Sequence, residues 1–324
     1  MDSIWTEDGT PAASHLFYAI YFAFGFVLVR FFLDRFIFRR LAILLLRLGT
    51  TTHLRNDETT RGKIVKCSES MWKFAYYATI EFCVLKVAYH EPWFLNVKEY
   101  FRGWPNQELS AGIKLIYMCQ CGFYLYSIAA LLVWETRRKD FAVMMSHHIV
   151  TVILISFSYI SSFFRIGIVI LALHDASDVF LEAAKVFKYS EKELGASVLF
   201  GCFAVSWLVL RLFFFPFWVI RSSSYYLCEV LKLSEAYDTM LYYFFNTMLL
   251  TLLVFHIYWW ILICSMIRRQ LNNRGKVGED IRSGKHLNVI FSLQVYYVVE
   301  KCATFVSLFL QKEIENGTIR KGMK

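Results

Sequence analysis

Proline is almost missing from this sequence, at 4 of 324 residues, and glycine is sparse at 15. A chain so poor in both is neither a loop-rich scaffold nor a disordered one. Charge is scarce too. Asp, Glu, Lys and Arg make up 19%, where a soluble domain carries about 25%. No Lys or Arg precedes Arg30, so the first apolar run lacks the basic flank of a cleavable signal peptide and reads as a permanent span. The cysteines lie mostly inside apolar runs, Cys83, Cys119, Cys121, Cys202 and Cys264 among them. They read as small packing residues, not as a disulfide framework, and Cys-x-Cys at 119–121 is no strong metal motif. With 8 histidines in all, the chain is too poor in that residue for the clustered boxes of a di-iron membrane oxygenase.

What is abundant is apolar and aromatic. Hydrophobic residues are 57% of the chain, with 31 Phe, 19 Tyr and 9 Trp, and the mean hydropathy is +0.44. That composition predicts an all-α polytopic membrane bundle of about seven spans with short loops. The apolar runs fall near 15–33, 71–90, 112–134, 141–161, 164–184, 198–220 and 244–267. Between the first two, DRFIFRRLAILLLRL sets Arg35, Arg39, Arg40 and Arg47 among Leu, Ile and Phe. It reads as an interfacial amphipathic helix leading into a polar connector.

The net charge of +9 follows topology. The segments on one side of the membrane hold 21 Lys and Arg, those on the other side 4. By the positive-inside rule the N-terminus is lumenal and the C-terminus cytosolic. Nucleic acid is excluded, because the basic residues flank spans and form no separate domain. The run at 287–310 carries Glu300 and Lys301 at its centre and is read as an interfacial tail, not an eighth span. The expected layout is a lumenal stretch 1–14, a first span 15–33, an interfacial helix and connector 34–70, a catalytic domain 71–267 and a cytosolic tail 268–324.

Ionisable groups inside spans are functional candidates by default. The fourth span carries His147 and His148. The fifth carries His174, Asp175, Asp178 and Glu182. Counted at 1.5 Å per residue, His147 and Asp178 each lie about 10 Å from the cytosolic surface, and Asp175 about 15 Å. The two spans are joined by a short link, so the His pair and the Asp pair share a level in the cytosolic half. Asp175 and Asp178 share a helix face, while the adjacent histidines point about 100° apart. A carboxylate bonded to one imidazole nitrogen raises the basicity of the other, which suits a general base or an acyl-transfer nucleophile. A polar network that only binds helices together, or a metal site, would use the same residue types. His256 beside Tyr258, Trp259 and Trp260 reads as an interior histidine. Arg30 and Arg211 read as snorkelling or as pairing with acids.

MMSHHIVT at 144–151, followed by FFRIGIVILALHDASDVFLEAAK at 163–185, resembles the Lag motif of ceramide synthases within the TLC domain. The resemblance covers about residues 15–283, and YFAFGFVLVRFFLDRFIF and ETRRKDF are similar to the plant branch. It implies a bundle whose last six spans form the TLC barrel, in the endoplasmic reticulum membrane. It implies transfer of a fatty acyl group from acyl-CoA to a sphingoid base, with no cofactor beyond that substrate. By motif position His147, His148, Asp175 and Asp178 are the catalytic candidates. Arg165, His174 and Glu182, with Arg137, Arg138 and Lys139 at the basic rim, are the substrate-binding candidates, and no metal ligand is assigned. The family also implies that the first His can carry the acyl group, and that the link within 221–243 bears on acyl length. Membrane lipids are expected partners and a homodimer is a further expectation. A non-catalytic lipid carrier or sensor is the alternative within the TLC group. After GKVGEDIRS the tail departs from the acidic, serine-rich end usual in relatives.

Overall fold

The computed structural model describes residues 11–49, 58–135, 138–231 and 235–273. Arg137, part of the connector, and the tail with its 287–310 segment lie outside the described residues. Within them the fold is helical, with no strand. The scarcity of proline has its direct consequence at the N-terminus. After a 3-10 turn at Ala13–Leu16, α1 (Phe17–Leu33) runs through a π turn at Asp34–Phe38 into α2 (Arg39–Gly49). The expected first span and interfacial helix are therefore one rod, since no residue between them breaks the ladder. Within α2 and the turn before it, Phe38, Ala42 and Leu46 bury one stripe at four-residue spacing. Asp34 holds the junction by accepting from Arg39 Nε at 2.8 Å and from Ser68 Oγ.

The next helices are α3 (Glu58–Ala88), α4 (Ala111–Val133), α5 (Phe141–Ile160) and α6 (Phe164–Tyr189). Then α7 (Glu193–Ser206) passes into a π-helical stretch, Trp207–Ile220, and on into α8 (Arg221–Val230); α9 (Ala236–Asn272) follows. The expected link at 221–243 is thus largely helical, and the break between α8 and α9 is short. Tight turns place α5 and α6, then α6 and α7, side by side. Ser162 and Glu191 take left-handed φ values of 59° and 60° at those corners.

Among the described residues five helices are long and apolar enough to cross a membrane by length and composition: Ala13–Leu48, Ala111–Val133, Phe141–Ile160, Glu193–Val230 and Ala236–Asn272. The two other expected spans fall on α3 and α6, which have 31 and 26 residues but carry ionisable groups along their length. These two pack against each other and turn much of that polarity inward, which is why hydropathy undercounts them. The chain is a multi-pass membrane protein. The core runs along α3, α4, α5, α6 and α9, and α1 lies outside it against α4. Gly122 makes that approach close: a Cβ there would stand 2.5 Å from Phe22 Cβ and 2.7 Å from the Ala19 carbonyl.

Candidate active site

The second turn of α5 brings His147 about 10 Å along the helix from its start. The ring is buried and meets Trp259 of α9 edge-on, centroids 5.1 Å apart at 87°, with Phe255 at 5.9 Å. Thr151 Oγ1 donates to the His147 carbonyl at 2.8 Å. His148, one residue on, turns the other way and meets Tyr124 of α4 at 5.5 Å. The two rings remain neighbours at 5.6 Å. Each keeps Nδ1 buried with no hydrogen-bond partner among the described residues.

Across the cavity α6 presents His174, Asp175 and Asp178. His174 Nδ1 lies 2.6 Å from the Ile170 carbonyl, which can only accept, so that nitrogen carries the hydrogen. Its Nε2 must then accept from His256 Nε2 at 2.8 Å. Sequence reasoning took His256 for an interior histidine; it is buried, and its bond to His174 ties α9 to α6.

The two aspartates have different partners. Asp175 is fully buried and accepts from the Gln120 amide, whose oxygen accepts from Tyr76 at 2.8 Å. Asp178 receives Arg211 Nη2 at 2.7 Å, and the same nitrogen donates to the His174 carbonyl at 2.5 Å. The guanidinium lies 4.0 Å over the Trp207 ring, a cation–π contact. Arg211 sits in the π-helical stretch, where Pro216 removes a donor from the ladder; such widened turns recur at functional sites.

One expected contact is absent. Neither aspartate hydrogen-bonds His147 or His148 among the described residues. The carboxylates face α4 and the π stretch, whereas the histidines face α9 and α4. Gln120 and Arg211 are the direct partners of the acids, with Tyr76 bonded behind Gln120. Gln120 and Tyr76 carry no signal in the sequence that could single them out. Arg211 did, as a charge inside an apolar run.

The remaining candidates separate. Glu182 pairs with Lys185 at 2.7 Å in the C-terminal half of α6. Arg138 and Lys139 lie in the turn before α5, and Arg137 is outside the described residues. Nearby, burial works against the Glu69 carboxylate, but Lys73, with Arg138 and Lys185 beyond, holds it down at about 2. Arg165 stands apart from the His and Asp cluster. It stands at the opposite end of α6 and donates to the carbonyls of Glu99 and Arg102 at 3.1 and 3.2 Å. Its place in the first turn of α6 is about 15 Å along the axis from Asp175.

An apolar cavity opens beside the cluster. Thr151 and His174 line its inner end, and the rest is mainly Phe, Leu and Ile from α5, α6 and α9. Tyr117 reaches across, its hydroxyl near Ser158 Oγ and the Phe164 carbonyl, both at 3.2 Å. Only a glycine at 167 leaves room for it. No group of three His, Cys, Asp or Glu among the described residues is placed to hold a metal ion.

Comparison with known proteins gives a consistent picture. The TLC domain family matches residues 66–265. Ceramide synthase LOH2 of Arabidopsis thaliana is 63% identical over 289 residues, 87% of this chain and 98% of that protein. ASC1-like protein 3 of Oryza sativa subsp. japonica is 59% identical over 275 residues, 85% and 96% of the two chains. Ceramide synthase 5 of Homo sapiens is 35% identical over 232 residues, 71% of this chain and 57% of that protein.

Proposed function

The chain belongs to the TLC-domain ceramide synthases, and we propose that His147, one helical turn from the cavity-lining Thr151, is the group on which its reaction turns. The protein is an acyl-CoA-dependent N-acyltransferase that joins a fatty acyl group to the amine of a sphingoid base. The identity to named ceramide synthases favours this over a lipid carrier.

The observation that supports the site is the position of His147. Its imidazole is buried one helical turn before Thr151, which lines the apolar cavity together with His174. A fatty chain fits the apolar part, and the thioester carbonyl then lies at the polar end. In one route the imidazole attacks that carbonyl and the CoA thiol leaves with a proton. The sphingoid amine then takes the acyl group and returns the imidazole. In the other route the imidazole removes the amine proton while the amine attacks the thioester directly, and it returns that proton to the CoA sulfur, which leaves as the thiol when the C–S bond breaks. Asp175 and Asp178 reach the site through their partners, Gln120 and Arg211, and Arg211 also donates to the His174 carbonyl. The thioester is already activated, so neither route asks for a further cofactor. CoA is anionic, and Arg138 and Lys139, in the turn before α5, supply positive charge that attracts it. We place the chain in the endoplasmic reticulum membrane with its N-terminus lumenal and its C-terminus cytosolic.

N-acylation of sphinganine by the full-length protein tests this. Wild type is expected to be active, and His147→Ala and Asp178→Asn to lose at least about 100-fold in kcat/KM, the scale of a lost general base. A full complement of activity in His147→Ala would sink the assignment. Intact-protein mass spectrometry after mixing with acyl-CoA alone separates the routes, because only the first leaves an acyl group on His147.

A further inference from the structure

The cavity has two ends of different character. Along α6 it is lined by Phe163, Ile166, Gly167, Ile170, Leu171 and His174. These recur at helical spacing, so the lined stretch is about 16 Å long at 1.5 Å per residue. Its inner end is the cluster already described. Its outer end is closed by three aromatic rings. Phe101 meets Phe163 edge-on at 5.7 Å and 86°, and Phe163 meets Phe245 at 5.0 Å and 82°. None of the three is more than 5% exposed.

Phe101 belongs to the segment between α3 and α4, far from the last two helices in sequence. That segment is clamped. Arg165 donates to the carbonyls on both sides of Phe101's short turn, those of Glu99 and Arg102. Trp104 Nε1 donates to the Ser161 carbonyl at 2.8 Å, and its ring stacks on Phe163 at 5.6 Å and 20°. Gln107 ties the turn from within, donating to the carbonyls of Tyr100 and Arg102 at 2.9 and 3.1 Å. The cavity wall from α8, at Ser223 and Leu227, is a wall by comparison, because its residues do not join the ring stack.

We infer that Phe101 is the floor of the acyl cavity and sets the longest fatty chain the protein accepts, with Arg165 as the positioning residue that holds it. This rests on the reading of the cavity as the acyl site. A clamped ring cannot move aside for one more methylene, because a packed interior has no slack. Chain length is then limited by a segment remote from the 221–243 region that the family resemblance implicates.

The test is a panel of saturated acyl-CoAs of increasing length, with sphinganine as acceptor and full-length protein in microsomes. Phe101→Ala is expected to raise the kcat/KM ratio of an acyl-CoA two to four carbons beyond the wild-type optimum, relative to that optimum, by about tenfold or more. Phe101→Leu is the milder variant and moves the ratio in the same direction. Arg165→Gln leaves Phe101 in place but frees its segment, so the profile broadens toward longer chains. Activity on the wild-type optimum reports folding in each case. An unchanged profile in an active Phe101→Leu or Phe101→Ala overturns the inference, as does a shift produced by Leu227→Ala alone. Failure of wild type on every acyl-CoA overturns the underlying acyl-site reading instead.

Discussion

Arg211 shows how a single residue can organise a site without being one of its obvious members. One nitrogen reaches the Asp178 carboxylate and the His174 carbonyl, and the guanidinium face rests on Trp207. Lysine cannot reproduce that planar arrangement. Removing either partner leaves a charge in a poorly hydrated place. For Arg211→Gln the expected loss of stability is about 3 kcal/mol, the low end for a broken buried pair, because the Asp178 side chain keeps 20% of its surface. Asp178→Asn should cost a similar amount. The double variant should recover more than about 1 kcal/mol of the summed losses, since neither charge is then stranded. Denaturation of the four proteins in one detergent measures this, and simple additivity would show that the pair is not coupled. The sequence marked Arg211 as a charge within an apolar run. Its partner could not be read, because the two residues lie 33 apart on different helices.

At the scale of elements, periodicity located the helices well but not their continuity. The expected break after residue 33 is absent, because Asp34 and the arginines that follow keep helical geometry and satisfy one another along the rod. The expected long link at 221–243 is divided between α8 and the first turns of α9, since a run without proline or glycine continues the helix once begun. The contact of α1 with α4 depends on Gly122. Gly122→Val adds a branched side chain where even a Cβ would meet Phe22 Cβ at 2.5 Å. The expected cost is about 1–3 kcal/mol, the range for overpacking a close interface. A cysteine cross-link engineered between α1 and α4 should form more slowly in that variant. An unchanged cross-linking rate would mean that the two helices are not held by this contact.

For the molecule as a whole, orientation follows from charge. The side holding 21 Lys and Arg is expected to face the cytosol. An N-glycosylation sequon inserted ahead of α1 should be modified in microsomes, and one inserted just beyond α9 should not. The reverse pattern would invert the topology, and would move the His and Asp level to the lumenal half with it. Composition and the spacing of apolar residues determined the class of protein, an all-helical multi-pass membrane bundle. These are local properties, set by the cost of burying charge in lipid and by the rise of a helix. The tertiary structure alone decided that Asp178 answers Arg211 while Asp175 answers Gln120. It also decided that Arg165 clamps a distant turn, and that Phe101 closes the cavity. Each of those depends on which faces meet across 33 to 66 residues of chain, and no periodicity within one helix carries that information.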